Sequence, residues 1–231
     1  MFKMQNNIMM PCDKIFSIIE VKLAHLLFPH NDEIVALTDK ITCELLIQAY
    51  NQGYFPWPFD SCDLIPWYNP RKRGILEFTD LIIPKSWLKL KRQKELYCSL
   101  NKDFESVITH CRDVHQSRND NTWINEHIIQ AYSELHRRGM ALSVEVWEKD
   151  QLIGGLYGVD INRLFTGESM FYLKSGASKI GLLYLIDILK ARGDDMMDIQ
   201  MVTPLFEIIG GKYISRNEFQ QKLKIKQEVK N

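Results

Sequence analysis

The sequence predicts an α+β protein with a mixed β-sheet in its C-terminal part, and three observations support this prediction. Three apolar segments between residues 141 and 171 alternate with short turns, as in an antiparallel meander. A segment with apolar residues at helical spacing follows at about 177–192. The next apolar segment, Met196–Met201, is predicted to be a strand. A meander followed by a strand–helix–strand crossover places antiparallel and parallel neighbours in one sheet.

The N-terminal part is predicted in two pieces. Residues 1–33 are a methionine-rich N-terminal extension whose fold the pattern does not define. A helix follows, with Thr38 or Asp39 as its predicted N-cap and Gly53 at its predicted end. We place a domain boundary near residue 95. It separates a small N-terminal α/β lobe at 34–95 from a C-terminal domain at 96–231.

Two aromatic segments of this lobe contain prolines and are predicted to be loops. They are Tyr54–Phe59 and Pro66–Arg71, and proline is unfavourable both inside a helix and in a central strand. Their tryptophans, Trp57 and Trp67, together with Trp123, have two possible roles. In the first role they form a stacking platform for a base or an aromatic side chain. In the second role they pack at the interface between two lobes.

Two helices are predicted before the meander, at about 103–114 and 125–138. Asn125 is the predicted N-cap of the second helix and Gly139 marks its end. The strands of the meander are predicted at Ser143–Trp147, Leu152–Asp160 and Leu164–Phe171. The order of these elements resembles the core of the acetyltransferase-like acyltransferase fold.

The charge balance restricts how the chain can bind a polyanion. Its 231 residues include 29 basic and 29 acidic residues, so the formal net charge is zero and binding has to rely on a local patch. A basic run contains Trp87 and the cations Lys85, Lys89, Lys91 and Arg92. Such a run is either a solvated face or a set of phosphate contacts. The lysines between 222 and 230 are interpreted as a frayed helix end.

The cysteine pattern gives no sign of a metal or disulfide framework. The five cysteines are scattered and include no Cys-x-x-Cys pair, which favours a reducing compartment. No apolar run approaches the roughly 20 residues that span a bilayer. We therefore expect a cytoplasmic protein, acting as a monomer without a bound metal.

Polar residues within the C-terminal strands are the candidates for chemistry. Glu168 lies between small residues in Gly167–Phe171, at the end of a predicted strand. Asp198 and Gln200 are two residues apart on the next strand, so a regular strand would place both on one face. Taken alone, each feature is also compatible with an exposed strand end or a polar edge.

Several of these segments together resemble the bacterial leucyl/phenylalanyl-tRNA–protein transferases. They occur in the order of that family over roughly residues 34–223. The matching segments are Ala49-Tyr50-x-x-Gly53-Tyr54-Phe55-Pro56-Trp57, Thr122-Trp123-Ile124, Ala131-Tyr132-x-x-Leu135-His136-x-x-Gly139, Ser143-Val144-Glu145-Val146-Trp147, Gly154-Gly155-Leu156-Tyr157-Gly158-Val159, Gly167-Glu168-Ser169-Met170-Phe171, Ala177-Ser178-Lys179 and Asp198-x-Gln200.

The resemblance implies an acyltransferase-like C-terminal domain and a specific reaction. Leu, Phe or Met would pass from its tRNA to a protein with N-terminal Arg or Lys, marking that protein for N-end-rule degradation. Glu168, Asp198 and Gln200 would be the catalytic residues. The resemblance assigns substrate contacts to Trp57, Trp123, Tyr132, Phe165, Ser169 and Met170, and tRNA contacts to Lys85, Lys89, Lys91 and Arg92.

The implied reaction is aminolysis of an activated ester and requires no cofactor. We expect Asp198 to polarise the side-chain amide of Gln200, whose oxygen then accepts a hydrogen bond from the attacking amine. The final proton acceptor would be the ribose 2′-hydroxyl or water. The chain departs from the family pattern at Leu185, Ile199 and Leu205, which leaves the choice of donor amino acid open.

Two other functions remain as alternatives. One is an acetyl-CoA-dependent N-acetyltransferase, which needs backbone amides at a helix start to hold the pyrophosphate. Lys174-Ser175-Gly176-Ala177 is a weak candidate for that element. The other is a non-catalytic module that binds tRNA or peptide.

Overall fold

The computed structural model of the protein describes residues 18–58, 64–91, 95–117 and 124–228. Within these ranges the helices are α1 (Ile18–Leu27), α2 (Cys43–Asn51), α3 (Lys85–Leu90), α4 (Phe104–Ser117), α5 (Glu126–Arg137), α6 (Ala177–Ala191), α7 (Pro204–Ile208) and α8 (Arg216–Glu228). The strands are β1 (Ile34–Thr38), β2 (Phe55–Pro56), β3 (Ile65–Tyr68), β4 (Lys72–Glu77), β5 (Leu96–Leu100), β6 (Ala141–Glu148), β7 (Gln151–Ile161), β8 (Leu164–Tyr172), β9 (Met196–Gln200) and β10 (Lys212–Ser215).

A seven-stranded mixed sheet forms the larger part of the molecule, in the order β10-β4-β9-β8-β7-β6-β5. Its neighbouring strands are antiparallel except for β8 and β9, which are parallel. The predicted meander is β6–β7–β8, and α6 is the crossover to β9. The α+β class with a mixed sheet is therefore confirmed.

A smaller antiparallel sheet has the order β1-β3-β2. Its central strand β3 contains Pro66 and Trp67, so the prediction of a loop there was wrong. Burial explains the difference: Trp67 is completely buried, and its indole N–H donates to the Thr38 hydroxyl at 2.9 Å. The Pro66 carbonyl also accepts the Trp57 N–H at 2.9 Å, so the proline still contributes an acceptor to the sheet.

The ends of two helices test the predicted caps. Asn125 is confirmed as the N-cap of α5, because its side chain accepts the Ile128 N–H at 3.0 Å. The N-cap of α2 is Thr42, so the prediction of Thr38 or Asp39 was wrong. Thr38 instead ends β1 and accepts the Trp67 indole N–H.

Strand β4 connects the N-terminal part of the chain to the large sheet. It lies between β10 and β9, although it precedes residue 95 in the sequence. One apolar core also contains Tyr54 and Trp67 together with Phe104 and Tyr157. The domain boundary near residue 95 stays a prediction.

The C-terminal helix α8 is anchored to the sheet. Phe219 and Leu223 are buried, and Lys222 forms an ion pair with Glu77 at 2.8 Å. The interpretation of this region as a frayed end was wrong up to residue 228, and Lys230 lies outside the described residues. Within the described ranges, every helix is too short or too polar to cross a bilayer.

Candidate active site

A cavity opens where β8 and β9 separate. The two strands pair at one position, Thr166 with Asp198, after which their backbones are no longer paired. A crevice at the carboxyl ends of parallel strands is a common place for a ligand site. The cavity has a volume of about 450 Å³, within the usual range for small-molecule sites.

Glu168 reaches this cavity because of an irregularity in β8. Tyr157 of β7 pairs with Ser169 and the next residue, Gly158, pairs with Gly167, so Glu168 is an extra residue in the ladder. Such a β-bulge changes the direction of a side chain, and bulges are frequent beside active sites. The Glu168 carboxylate consequently points to polar groups from three other elements.

Those polar groups form a compact cluster around the Glu168 carboxylate. Tyr50 of α2 donates its hydroxyl to Oε1 at 2.7 Å, and Tyr132 of α5 donates to Oε2 at 3.1 Å. The two phenol oxygens are 3.0 Å apart. The Gln200 amide donates through Nε2 to Oε1 of Glu168 at 2.9 Å. One carboxylate therefore links both helices to both strands of the crevice.

Burial raises the pKa of Glu168 to about 7, and the hydrogen bonds from Tyr50 and Tyr132 only partly oppose this effect. Burial and the nearby Glu168 charge raise the pKa of both tyrosines well above the usual range, so they remain protonated donors. Glu168 therefore changes charge near neutral pH, which is the property of a general acid or base.

Asp198 has a different environment, because it forms a buried ion pair. Arg73 of β4 donates to both of its carboxylate oxygens, at 2.9 and 2.6 Å, and the Thr166 hydroxyl donates at 3.1 Å. Arg73 is 1% exposed and Asp198 is 0% exposed. Two parallel N–H···O bonds hold the carboxylate in one orientation.

Gln200 departs from regular strand geometry. Its φ is +58°, and its side chain lines the cavity, whereas that of Asp198 faces Arg73. The prediction that both side chains share one face was therefore wrong. Asp198 accepts the backbone N–H of Gln200 at 2.9 Å, so the predicted contact with the side-chain amide was also wrong.

The other end of the cavity is apolar. Its walls come from β7, β8, β9 and α6, and they include the buried residues Leu156, Phe165, Leu182, Leu185, Met197 and Ile199. Trp57 and Pro58 contribute from the N-terminal part of the chain. An apolar chamber beside a hydrogen-bonding cluster suits a ligand with a hydrophobic side chain and an adjacent polar group.

The structure brings most of the predicted substrate residues to this cavity. Trp57, Phe165, Ser169 and Met170 line it, while Tyr132 lies behind Glu168 as a hydrogen-bond donor. Trp123 lies outside the described residues. Ser169 also hydrogen-bonds the buried Cys111 thiol, whose pKa burial raises to about 12.

Sequence reasoning did not identify Tyr50, Arg73 or Thr166 as part of this site. Tyr50 lies in a matched segment, but helical spacing alone makes it a core residue. Arg73 follows Arg71 and Lys72, and a basic run usually indicates a solvated face. Only the pairing of β4 with β9 shows that one of these cations is buried beside Asp198.

The predicted tRNA-contacting lysines lie on and after α3. Trp87 is buried and anchors this helix, whereas Lys85 and Lys89 are exposed. Within the described ranges neither of these two lysines has a carboxylate partner, while Lys91 forms an ion pair with Asp187 of α6. Arg92 lies outside the described residues.

The start of α6 is unsuited to the pyrophosphate of acetyl-CoA. The Leu90 side chain packs against Gly176, within 2.9 Å of the place where a Cβ would lie. The N–H of Ala177 already donates to the Lys174 carbonyl at 3.1 Å. A phosphate at this helix start would have to displace both contacts, which disfavours the N-acetyltransferase alternative.

The cavity thus combines an apolar chamber with a hydrogen-bonded carboxylate cluster at one edge of the mixed sheet. Residues 39–71 match the sequence profile described as "Leucyl/phenylalanyl-tRNA protein transferase N-terminal domain". Residues 75–224 match the profile "Leucyl/phenylalanyl-tRNA protein transferase". The chain belongs to the leucyl/phenylalanyl-tRNA–protein transferase family.

Named relatives agree with these matches. The leucyl/phenylalanyl-tRNA–protein transferase of Hydrogenovibrio crunogenus is 40% identical over 87% of this chain and 78% of its own length. The enzyme of the same name from Flavobacterium johnsoniae is 39% identical over 84% of this chain and 91% of its own length. Among solved structures, a GCN5-related N-acetyltransferase from Kribbella flavida aligns with a TM-score of 0.41 and 10% identity, over 64% of this chain and 55% of that one.

Proposed function

We propose that this protein transfers Leu, Phe or Met from aminoacyl-tRNA to the N-terminal Arg or Lys of acceptor proteins, which marks them for N-end-rule degradation. Aminoacyl transfer is the activity of the family to which the chain belongs. The observation that carries the proposal for this site is the Glu168 cluster at the polar end of an apolar cavity. A cytoplasmic, monomeric protein fits this proposal.

The apolar chamber receives the side chain of the donor amino acid. Leu156, Phe165 and Leu182 offer dispersion contacts but no hydrogen bonds, which suits Leu, Phe and Met. Burying such a side chain contributes about 1.5–3 kcal/mol. Leu185 and Ile199 lie in the same wall, so their departures from the family pattern act on the choice of donor.

The Glu168 cluster receives the acceptor. Its carboxylate attracts a cationic N-terminal residue, and Tyr50 and Tyr132 hold its two oxygens in position. Within the described residues the Oε1 atom of Gln200 has no hydrogen-bond donor, while its Nε2 binds Glu168. Oε1 is therefore available to accept an N–H from the attacking amine.

Bond formation follows from this placement. The neutral α-amine attacks the ester carbonyl, the new amide bond forms, and the bond from that carbon to the ribose oxygen breaks. The amine loses one proton, and the leaving ribose oxygen gains one. Glu168 is a suitable intermediate acceptor because its pKa of about 7 lies close to the value of about 7.7 for an α-amine.

The experiment supplies labelled leucyl-, phenylalanyl- and methionyl-tRNA to the protein with peptides that begin with Arg, Lys, Asp or Glu. Transfer to the Arg and Lys peptides is expected. Transfer only to the acidic peptides would contradict the proposed acceptor, and absence of transfer with all three donors would contradict the proposed function. Calorimetry with acetyl-CoA is the companion measurement, for which no binding heat is expected.

A further inference from the structure

The position of the Gln200 side chain depends on an unusual backbone turn. Among the described residues, the non-glycine residues with positive φ are Asn101, Lys149, Asn162, Arg163 and Gln200, and Gln200 is the buried member of this set. The others lie at turns with at least partial exposure to solvent. A buried residue with this backbone conformation stores strain, which the surrounding structure has to support.

Two hydrogen bonds close this turn. The Met201 N–H donates to the Ile199 carbonyl at 2.5 Å, which makes Gln200 the central residue of a three-residue turn. With positive φ, such a γ-turn is a strained form. The Gln200 N–H donates to Oδ1 of Asp198 at 2.9 Å, so the Asp198 carboxylate fixes the entry into the turn.

Arg73 in turn fixes the Asp198 carboxylate, and its guanidinium is itself fixed by a backbone carbonyl and two aromatic rings. Its Nη1 donates to the Gly53 carbonyl at 3.0 Å. Its guanidinium carbon lies 4.4 Å from the centre of the Phe55 ring and 4.6 Å from that of Phe219. The bidentate contact with Asp198 therefore starts from a side chain that cannot rotate freely.

The neighbouring residue, Gly74, provides the space for the turn. A Cβ atom at Gly74 would lie 2.8 Å from the carbonyl carbon of Met201 and 2.9 Å from the backbone nitrogen of Val202. These are backbone atoms, so they could not make room by rotating a side chain. Arg73 and Gly74 thus act on the same turn, one through charge and the other through close approach.

We propose that the Arg73–Gly74 pair of β4 is a positioning device that holds the Gln200 amide against Glu168 for the bond-forming step. The proposal rests on the proposed aminoacyl transfer. Neither residue touches the substrate, so both act on the rate of bond formation and leave binding of aminoacyl-tRNA unchanged. A purely structural pair would instead change stability alone.

The test compares Arg73→Lys and Gly74→Ala with the wild-type chain in steady-state transfer at saturating aminoacyl-tRNA and acceptor peptide. Lysine keeps the charge of Arg73 but loses the two-point contact, and alanine at position 74 keeps both residues of the ion pair while displacing the turn. Because a misplacement of about 1 Å can reduce a rate by about 10²-fold, each variant should lose roughly that factor in kcat. Dissociation constants for aminoacyl-tRNA should stay within about twofold.

Matched controls separate positioning from stability. Arg192→Lys makes the same chemical change at an ion pair with Asp160 and Asp194, and Gly155→Ala places a Cβ 2.8 Å from the Val144 carbonyl oxygen. Each rate is divided by the folded fraction of the protein, which circular dichroism measures. Both controls should lower the melting temperature and keep the wild-type kcat.

The outcomes distinguish the two proposals. A wild-type protein without transfer overturns the proposed function. An active wild type with Arg73→Lys and Gly74→Ala at normal kcat overturns the positioning role. If Arg73→Lys fails to fold, Gly74→Ala is the deciding variant, because it keeps both Arg73 and Asp198.

Discussion

At the scale of single residues, Glu168 is the group around which the site is built. It receives hydrogen bonds from Tyr50, Tyr132 and Gln200, and burial raises its pKa to about 7. Three side chains from three other elements thus meet at the Glu168 carboxylate. The proposed chemistry depends on the charge of Glu168, since only the anion can attract a cationic acceptor and take up a proton.

The pH dependence of transfer should show this ionisation. Glu168 and the acceptor amine, with pKa values of about 7 and about 7.7, both have to lose a proton before reaction. The rate should therefore rise with pH through both values, with a slope approaching two in acid. Glu168→Gln removes one ionisation, so its slower reaction should rise with a slope of one.

Single-turnover rates between about pH 5 and pH 8.5 provide the measurement. Glu148→Gln is the control, because Glu148 pairs with Lys174 at the exposed end of β6, away from the cavity. A Glu168→Gln profile with the same slope as wild type would show that Glu168 is not the titrating group.

At the scale of elements, glycine residues allow close contacts between the neighbouring strands β7 and β8. Gly158 and Gly167 face each other in the ladder. A Cβ at Gly158 would lie 2.2 Å from the Thr166 carbonyl oxygen, whereas a Cβ at Gly167 meets its nearest atom at 3.8 Å. Two glycines with the same pairing therefore have different structural requirements.

Gly158→Ala should lower the free energy of unfolding by about 1–3 kcal/mol or more, because the extra methyl group forces the strands apart. Gly167→Ala serves as the matched control and should change stability by less than about 1 kcal/mol. Urea denaturation followed by circular dichroism measures both. Equal effects of the two substitutions would contradict the conclusion that only Gly158 lacks space for a methyl group.

Helix α3 presents the candidate tRNA surface. Trp87 fixes the helix to the core, and this leaves Lys85 and Lys89 exposed to solvent. The ion pair of Lys91 with Asp187 neutralises part of the run. The exposed lysines are therefore the stronger candidates for phosphate contacts.

Lys89→Glu should weaken binding of aminoacyl-tRNA and reduce the slope of log K against log salt by about 1. Lys224→Glu, at an exposed position of α8, is the control with the same change in charge. Filter binding at several salt concentrations provides the measurement. Equal slopes for Lys89→Glu and wild type would show that Lys89 makes no phosphate contact and that the basic run is a solvated face.

At the scale of the whole molecule, the large sheet depends on a strand from the N-terminal part of the chain. β4 covers β9 on the side opposite β8, and it brings Arg73 to Asp198. Without β4, Asp198 would keep a buried charge without its partner, a loss of about 3–5 kcal/mol. The apolar core also joins residues from both sides of position 95.

Residues 96–231 expressed alone should therefore fail to unfold cooperatively, whereas the complete chain should show one transition. The fragment 72–231 contains β4, so more backbone amides of β9 should be protected from hydrogen exchange in this fragment than in 96–231. Thermal denaturation and hydrogen exchange measure these differences. A cooperative transition of 96–231 would instead support a domain boundary near residue 95.

The sequence by itself determined the α+β class, the meander and the crossover helix, and it singled out Glu168 and Gln200, which the structure places at the cavity. These features follow from local periodicity, turn residues and matched segments, so they can be predicted without knowledge of distant contacts. The Asn125 cap and the strand β8 belong to the same group. Each depends mainly on neighbours within a few positions along the chain.

Only the tertiary structure decided where those polar side chains point. The bulge at Glu168 and the positive φ of Gln200 break the two-residue alternation of a regular strand, from which a shared face was predicted for Asp198 and Gln200. Both irregularities depend on partners far away in sequence, including Tyr50, Arg73 and Gly74. Strand periodicity records burial along one segment, whereas the geometry of this site results from contacts between segments.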